Sequence, residues 1–134
     1  MTKKELAIAL HDKGYNCCQS VVCAFKDELG VDEATLFKAG EGFGFGMGNS
    51  NGTCGAVSGA VMAAGFQNST ANFDGPKSKA DTYALCKKIL DAKEKKNGSL
   101  VCKDLKGIET GVVLRSCPGC IEDAVEIVQE VLGL

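Results

Sequence analysis

The sequence has only one histidine, His11, and no long apolar run among its 134 residues. A single histidine, which we expect at the surface, leaves no Ser-His-Asp set for hydrolysis. A c-type haem attachment site is also missing, because Ile121 stands where a histidine would have to follow the C-x-x-C pair. The longest apolar run, residues 60–66, is far too short to span a bilayer. These absences argue against triad hydrolysis, covalent haem and membrane insertion.

The charges of the chain are nearly balanced and dispersed. Fifteen Lys and Arg residues against seventeen Asp and Glu residues give a net charge of -2 at pH 7. No segment gathers enough Lys and Arg to suggest a nucleic-acid partner. The first residues show neither the apolar run nor the small-residue cleavage site of a signal peptide. We therefore expect a cytoplasmic protein without a nucleic-acid or membrane partner.

Cysteine is the strongest compositional signal. In a secreted chain, eight cysteines would suggest a disulfide framework, whereas in a reducing cytosol they indicate metal or redox chemistry. They are Cys17, Cys18, Cys23, Cys54, Cys86, Cys102, Cys117 and Cys120.

Helical periodicity dominates the chain, and alternating strand patterns are nearly absent. The pattern predicts an all-α fold, a compact bundle of five or six helices that forms a single domain over residues 1–134. Thr2, Asn16 and Asp32 are suitable N-caps, and Gly30, Gly98 and Gly133 are suitable stops. The main predicted helices cover residues 2–11, 17–29, 32–40, 53–64, 76–96 and 117–132.

A segment of small residues predicts the central helix of this bundle. Gly55, Gly59 and Ala63 lie four apart, so that they form one face that neighbouring helices can approach closely. Asn51 or Thr53 is expected to cap this helix. Before it, residues 40–48 form a glycine-rich loop that lacks the Lys-Ser/Thr of a phosphate-binding loop. We expect the loop to cover the helix start with its apolar side chains, Phe43, Phe45 and Met47.

Three cysteines stand where a predicted helix begins, namely Cys17, Cys54 and Cys117. The unpaired N–H groups and positive dipole end of a helix start stabilise a thiolate and lower the thiol pKa. Cys102, near the start of a short helical segment, is expected to share this effect more weakly.

The remaining cysteines have simpler interpretations. Cys18 and Cys86 fall on apolar stripes, the latter together with Ala80, Tyr83 and Leu90, and are expected in the core. Cys23 neighbours polar residues and is expected to be an exposed, incidental thiol.

Cys117 and Cys120 form a C-x-x-C pair at a helix start. This arrangement is typical of dithiol oxidoreductases, but the βαβ context of thioredoxin-like proteins is missing. A zinc site would need a second closely spaced pair, which Cys17 and Cys18 do not supply. The motif indicates thiol or metal chemistry without naming the partner, and a structural role for Cys120 stays open.

Six segments of the chain follow a recognisable pattern: residues 15–17, 44–48, 54–59, 97–102, 117–119 and 122–124. Together they resemble the C-GCAxxG-C-C family of redox proteins, which is named for its own cysteine pattern. A related domain occurs in split-Soret cytochromes, which carry haem and are associated with an iron–sulfur centre. The resemblance implies an all-helical fold and four signature cysteines, Cys17, Cys54, Cys102 and Cys117.

Two functions follow from this resemblance and from the cysteine positions. In the first, the four signature thiols cycle between dithiol and disulfide and exchange electrons with a partner protein or a small-molecule carrier. In the second, the same four thiolates bind a metal centre, an iron–sulfur cluster rather than zinc. A packing module whose cysteines have no chemical role is the third reading. Exposed phenylalanine in the glycine loop would suit a homodimer.

Overall fold

The computed structural model describes all residues, 1–134, and contains eight right-handed α-helices and no β-strand. Six of the helices have seven or more residues, so the predicted all-α bundle of five or six helices is confirmed. None of the helices is at once long and apolar enough to cross a membrane. The helices are α1 (Lys3–Asp12), α2 (Cys17–Ala24), α3 (Lys26–Leu29), α4 (Glu33–Gly40), α5 (Gly55–Asn68), α6 (Lys79–Asn97), α7 (Cys102–Lys106) and α8 (Cys117–Leu132).

The starts of α1 and α2 are set by the capping residues that the sequence predicts. Thr2 Oγ1 accepts a hydrogen bond from Glu5 N at 3.1 Å, and Glu5 Oε1 accepts one from Thr2 N at 3.0 Å. Asn16 and Gln19 form the same reciprocal pair at 2.9 Å in both directions. Each pair satisfies two backbone groups that the helix itself leaves without a partner.

The predicted helix over residues 17–29 is wrong in one respect, because the structure breaks it at Phe25 into α2 and α3. Phe25 is fully buried and has φ −105° and ψ 16°. The break frees the carbonyl oxygen of Ala24, which accepts a hydrogen bond from Lys3 Nζ at 3.0 Å. Lys3 also pairs with Glu28 on α3, so this lysine stabilises both sides of the break.

Helix α5 lies at the centre of the bundle and contacts α2, α6 and α8. Its first six residues are all buried. A Cβ placed on Gly59 would lie 2.8 Å from the carbonyl oxygen of Cys18 and 3.0 Å from Cβ of Val21. The small-residue face therefore lets the backbone of α2 pack directly onto α5.

The predicted ends of α5 are wrong. Neither Asn51 nor Thr53 caps it; the helix begins after Cys54 and continues to Asn68. Thr53 instead forms an isolated antiparallel bridge with Val101, which ties the start of α5 to the start of α7.

Helix α6 begins at Lys79 rather than at Pro76, and its predicted apolar stripe is wrong in its first half. Ala80 and Tyr83 are exposed, because the first turns of α6 extend beyond the core. The residues of α6 that are buried against α5 and α8 are Ile89, Lys93 and Asn97.

Candidate functional site

Residues 44–48, the second half of the glycine-rich segment at residues 40–48, form a left-handed turn. Phe45, Gly46 and Met47 have φ of 54°, 57° and 65°, a conformation that costs an L-residue other than glycine about 1–2 kcal/mol. The turn brings Gly46 so close to Cys102 that an added Cβ would lie 2.5 Å from the Cβ of that cysteine. Only glycine fits there.

Two backbone hydrogen bonds place Cys54 beside Cys102. Cys54 N donates to Leu100 O at 2.7 Å, and Cys102 N donates to Gly52 O at 3.0 Å. These bonds join the segments that lead into α5 and α7. Two cysteines 48 positions apart in the sequence therefore enter their helices side by side.

The starts of α2 and α5 also meet. A Cβ on Gly55 would lie 3.2 Å from Cβ of Cys17. Asn16, the cap of α2, donates from Nδ2 to Glu41 O at 2.9 Å, which ties this helix start to the glycine-rich segment. Cys17 is held here as the first residue of α2.

A cavity of about 190 Å³ lies where these helix starts meet. The structure brings together all four cysteines predicted as site residues, and it adds a fifth, Cys120. The chemical roles of these residues stay predictions. The cysteines on the cavity wall are Cys17, Cys54, Cys102, Cys117 and Cys120.

Three basic side chains and one aromatic ring also line the cavity: His11, Lys106, Arg115 and Phe45. Sequence reasoning did not name these three basic residues as part of a site. His11, expected at the surface, is only partly exposed, with Nδ1 3.0 Å from Tyr15 O. Of the three apolar side chains of the glycine-rich loop that were expected to cover the helix start, Phe45 lines the cavity, whereas Phe43 and Met47 do not.

Cys17 and Cys117 form one adjacent pair of thiols. The neighbouring Cys17 thiol lowers the pKa of Cys117 to about 5, with a further contribution from the Lys106 ammonium. The same contact, followed by burial, raises the pKa of Cys17. The prediction that Cys17 has a lowered pKa is therefore wrong, because two adjacent thiols share one proton and Cys17 retains it.

Cys54 and Cys120 form the second pair. The Cys120 thiol lowers the pKa of Cys54 to about 6, assisted by the Lys93 ammonium and by the N–H groups of Ala56 and Val57. The pKa of Cys120 is raised by the same contact and by burial. Here the helix start contributes to the lowered pKa, as the sequence predicts.

The two cysteines of the C-x-x-C motif thus face different partners. Cys117 lies against Cys17, and Cys120 lies against Cys54. Cys102 has no such thiol partner, and burial raises its pKa despite the nearby Lys106. The expected weak activation of Cys102 by its helix start is therefore wrong.

A chain of polar contacts runs behind the Cys54–Cys120 pair. Lys93 is 1% exposed and donates from Nζ to Asn97 Oδ1. Asn97 Nδ2 donates to Asp123 Oδ2 at 3.0 Å, and Asp123 accepts two hydrogen bonds from Arg115 at 2.9 and 3.2 Å. The sequence analysis missed Lys93. Lys93 lies four residues after Ile89 and four before Asn97, and this spacing places all three on one face of the helix.

The three other cysteines lie away from the cavity. Cys18 is fully buried, as predicted, and Cys86 is partly buried and packs against the core. Cys23 was expected to be exposed, which is wrong, because it is 1% exposed. Its polar neighbour in the sequence, Gln19, is buried too and donates to Phe37 O at 2.8 Å. Helix α2 is surrounded by α1, α4 and α5, so it has no polar outer face.

The cavity offers thiolates, which suit soft metals and iron–sulfur clusters. As the side chains stand, however, no three Cys, His, Asp or Glu residues are close enough together to hold one metal ion. All eight cysteines are free thiols. This arrangement of two pairs does not fit a four-sulfur ligand set.

The fold and the cavity define a cysteine-rich, all-α protein with a thiol-lined site. The family model described as "Putative redox-active protein (C_GCAxxG_C_C)" matches residues 15–131. The chain therefore belongs to this redox-active family, which confirms the resemblance seen in the sequence. Comparisons with curated proteins and with solved structures give no match.

Proposed function

We propose that this protein is a thiol–disulfide redox protein in which Cys117 is the attacking thiolate and Cys17 is the resolving thiol. The observation that carries the proposal is the adjacency of these two sulfurs at the starts of α8 and α2, on the wall of one cavity. A thiolate at neutral pH beside a thiol that keeps its proton is the arrangement that disulfide exchange needs.

The reaction proceeds in two exchanges. The Cys117 thiolate attacks one sulfur of a substrate disulfide, forms a mixed disulfide and releases the other half as a thiolate. Cys17 then gives its proton to that leaving thiolate and attacks Cys117 Sγ. A Cys17–Cys117 disulfide forms and the second half of the substrate leaves as a thiolate. One protein thiolate and one protein thiol are oxidised to a disulfide, and one substrate disulfide is reduced to a thiol and a thiolate.

Cys54 and Cys120 act as a second dithiol on the same cavity. The Cys54 thiolate reduces the Cys17–Cys117 disulfide by the same two exchanges, which moves the disulfide to Cys54 and Cys120. We assign Cys102, which lies beside Cys54, the role of an alternative partner for it. An external dithiol, from a partner protein or a small-molecule carrier, returns the protein to its reduced form.

The proposed function also includes a cellular compartment and an oligomeric state. We place the protein in the cytoplasm, where its thiols stay reduced between turnovers. A homodimer through the glycine-rich segment is supported by Phe45 and Met47, which are 47% and 48% exposed.

The alternative function is electron transfer by an iron–sulfur cluster bound by Cys17, Cys54, Cys102 and Cys117. It is supported by the location of all four sulfurs on one cavity. Binding such a cluster would require the cysteine side chains to move out of the Cys17–Cys117 and Cys54–Cys120 pairs.

Disulfide mapping tests the proposed exchange. Reduced protein is treated with a small disulfide and digested under acid conditions. We expect a Cys17–Cys117 disulfide as the first protein disulfide to form, and its loss in Cys117→Ser. Cys86→Ser is the matched control, because Cys86 is a partly exposed thiol outside the cavity, and it should not change the result. Equal oxidation of Cys86 and Cys117 in the wild-type protein would refute the proposal.

A further inference from the structure

Lys93 is a buried cation that no carboxylate neutralises. Its side chain is 1% exposed, and no Asp or Glu oxygen lies within ion-pair distance of its ammonium group. The hydrogen-bond partner of that group is neutral, the side-chain oxygen of Asn97. A charge in the interior of a protein is costly unless an opposite charge lies near it. We therefore expect an anion of another kind beside Lys93.

The helices that enclose Lys93 carry the two sulfurs of the second pair. Helix α6 packs on α5, which begins after Cys54, and on α8, whose first turn contains Cys120. Asn97, which binds Lys93, also donates to Asp123, one turn after Cys120 on α8. Lys93 is thus held beside this pair, and its positive charge helps to lower the pKa of Cys54. The Cys54 thiolate is the anion that balances Lys93.

The charges behind the second pair cancel only while Cys54 is a thiolate. Two of the groups are cations, Lys93 and Arg115, and one is a carboxylate, Asp123, which Arg115 already holds by two hydrogen bonds. When Cys54 forms a disulfide, its negative charge is lost and Lys93 stays buried without a counter-ion. The charge of Lys93 therefore favours the reduced form of the pair.

We propose that Lys93 is a positioning residue that holds the second pair in its reduced form and so limits the transfer of the disulfide from the first pair, Cys17 and Cys117. The inference depends on the proposed function, because it assigns a residue that controls the step between the two pairs. In that step the second pair loses two electrons and forms one S–S bond, while the S–S bond of the first pair breaks. The proton of Cys120 passes to Cys17, and the negative charge moves from Cys54 to Cys117.

This transfer moves the negative charge from one lysine to another. It leaves Lys93, which is fully buried, and arrives near Lys106, which is partly exposed. Water and salt screen a partly exposed ion pair more than a buried one. Lys93 therefore opposes the transfer, and it makes the disulfide of the second pair more oxidising than it would be without this charge.

A redox titration measures both disulfides in the same molecule. The full-length protein is equilibrated anaerobically with reduced and oxidised glutathione at a series of ratios, quenched with acid and alkylated. Peptide mapping then gives the oxidised fraction of the Cys17–Cys117 pair and of the Cys54–Cys120 pair. The first pair is the internal reference, because a general loosening of the fold would shift both pairs.

Two substitutions separate the charge of Lys93 from its structural role. Lys93→Gln removes the charge but keeps a group that can bond to Asn97, and Lys93→Met removes both. Replacing a buried charge by an apolar residue of similar size is often tolerated, so Lys93→Met should fold. We expect each variant to favour the second disulfide over the first by about tenfold or more, the effect of one nearby unit charge in a protein interior. For this two-electron couple, a factor of ten is about 30 mV.

Lys87→Met is the matched control. It removes the same charge from the same helix, but Lys87 is exposed and pairs with Asp91, so neither disulfide should shift. An equal shift in Lys87→Met and Lys93→Met would refute the role of Lys93. A shift in Lys93→Met that is missing in Lys93→Gln would show that the hydrogen bond to Asn97 acts rather than the charge, and would also refute it.

The failure of this inference is distinguishable from the failure of the proposed function. If both disulfides form in the wild type and the Lys93 variants leave their ratio unchanged, Lys93 does not control the transfer and the exchange function stands. If the first pair forms a disulfide and the second does not, the second dithiol is refuted together with this inference. If neither pair forms a disulfide at any ratio, the proposed function is refuted as a whole.

Discussion

The contact between α5 and α2 can be tested by adding one methyl group at Gly59. A Cβ there would lie 2.8 Å from Cys18 O and 3.0 Å from Val21 Cβ, whereas ordinary contact begins near 3.4 Å. Neither atom belongs to the far end of a flexible side chain. The Gly59→Ala protein can relieve the contact only by moving α2 as a unit.

The expected effect is the difference between two opposing terms. Replacing glycine by alanine inside a helix ordinarily stabilises a protein by roughly 0.5–1 kcal/mol. Overpacking a close contact costs about 1–3 kcal/mol. Because the contacts at Gly59 are so short, we expect the upper part of that range and a net loss of about 2 kcal/mol. Gly59→Val, which adds two further methyl groups, should lose more.

The same helix provides the control. Gly65 is also helical, yet a Cβ placed on it would have no neighbour within 4 Å. Gly65→Ala should therefore raise the free energy of unfolding by about 0.5–1 kcal/mol. Urea denaturation of both variants measures the two effects. If Gly59→Ala and Gly65→Ala are equally stabilising, α2 does not pack on α5 as described.

The remaining predictions concern the thiols. Alkylation of Cys117 by iodoacetamide should follow its thiolate and reach half its plateau near pH 5, because the Cys17 thiol lowers the pKa of Cys117 to about 5. Cys17→Ala should move this midpoint to higher pH, and a wild-type midpoint above pH 8 would contradict the pairing. For the metal alternative, anaerobically purified protein should lack visible charge-transfer absorbance and stoichiometric iron. Absorbance that is present in the wild type and lost in Cys54→Ser would favour a cluster over disulfide exchange.

Features that depend on neighbours in the sequence could be predicted. The caps Thr2 and Asn16 are recognisable because each satisfies its backbone partners within three residues. The small-residue face of α5 follows from helical spacing alone. The predicted helix starts at Cys17 and Cys117 are also confirmed, because each of these cysteines follows a capping residue.

Features that depend on distant contacts could not be predicted. Cys23 looks exposed beside its polar neighbours, but three other helices surround α2 and bury it. Lys93 looks like one more charged residue on a charged helix, yet it is among the most buried side chains of the protein. The break at Phe25 is bridged by Lys3, 22 positions earlier, which bonds to groups on both sides of the junction of α2 and α3.

The division of the C-x-x-C motif shows why a local pattern was insufficient for the site. Residues three apart on a helix share a face, so Cys117 and Cys120 both point from the first turn of α8 into the cavity. The sequence pattern suggests that they react with each other. Because α2 and α5 pack against that turn, Cys117 lies against Cys17 and Cys120 lies against Cys54. Since one helical turn carries a member of both pairs, we expect oxidation of either pair to alter the charge that the other experiences.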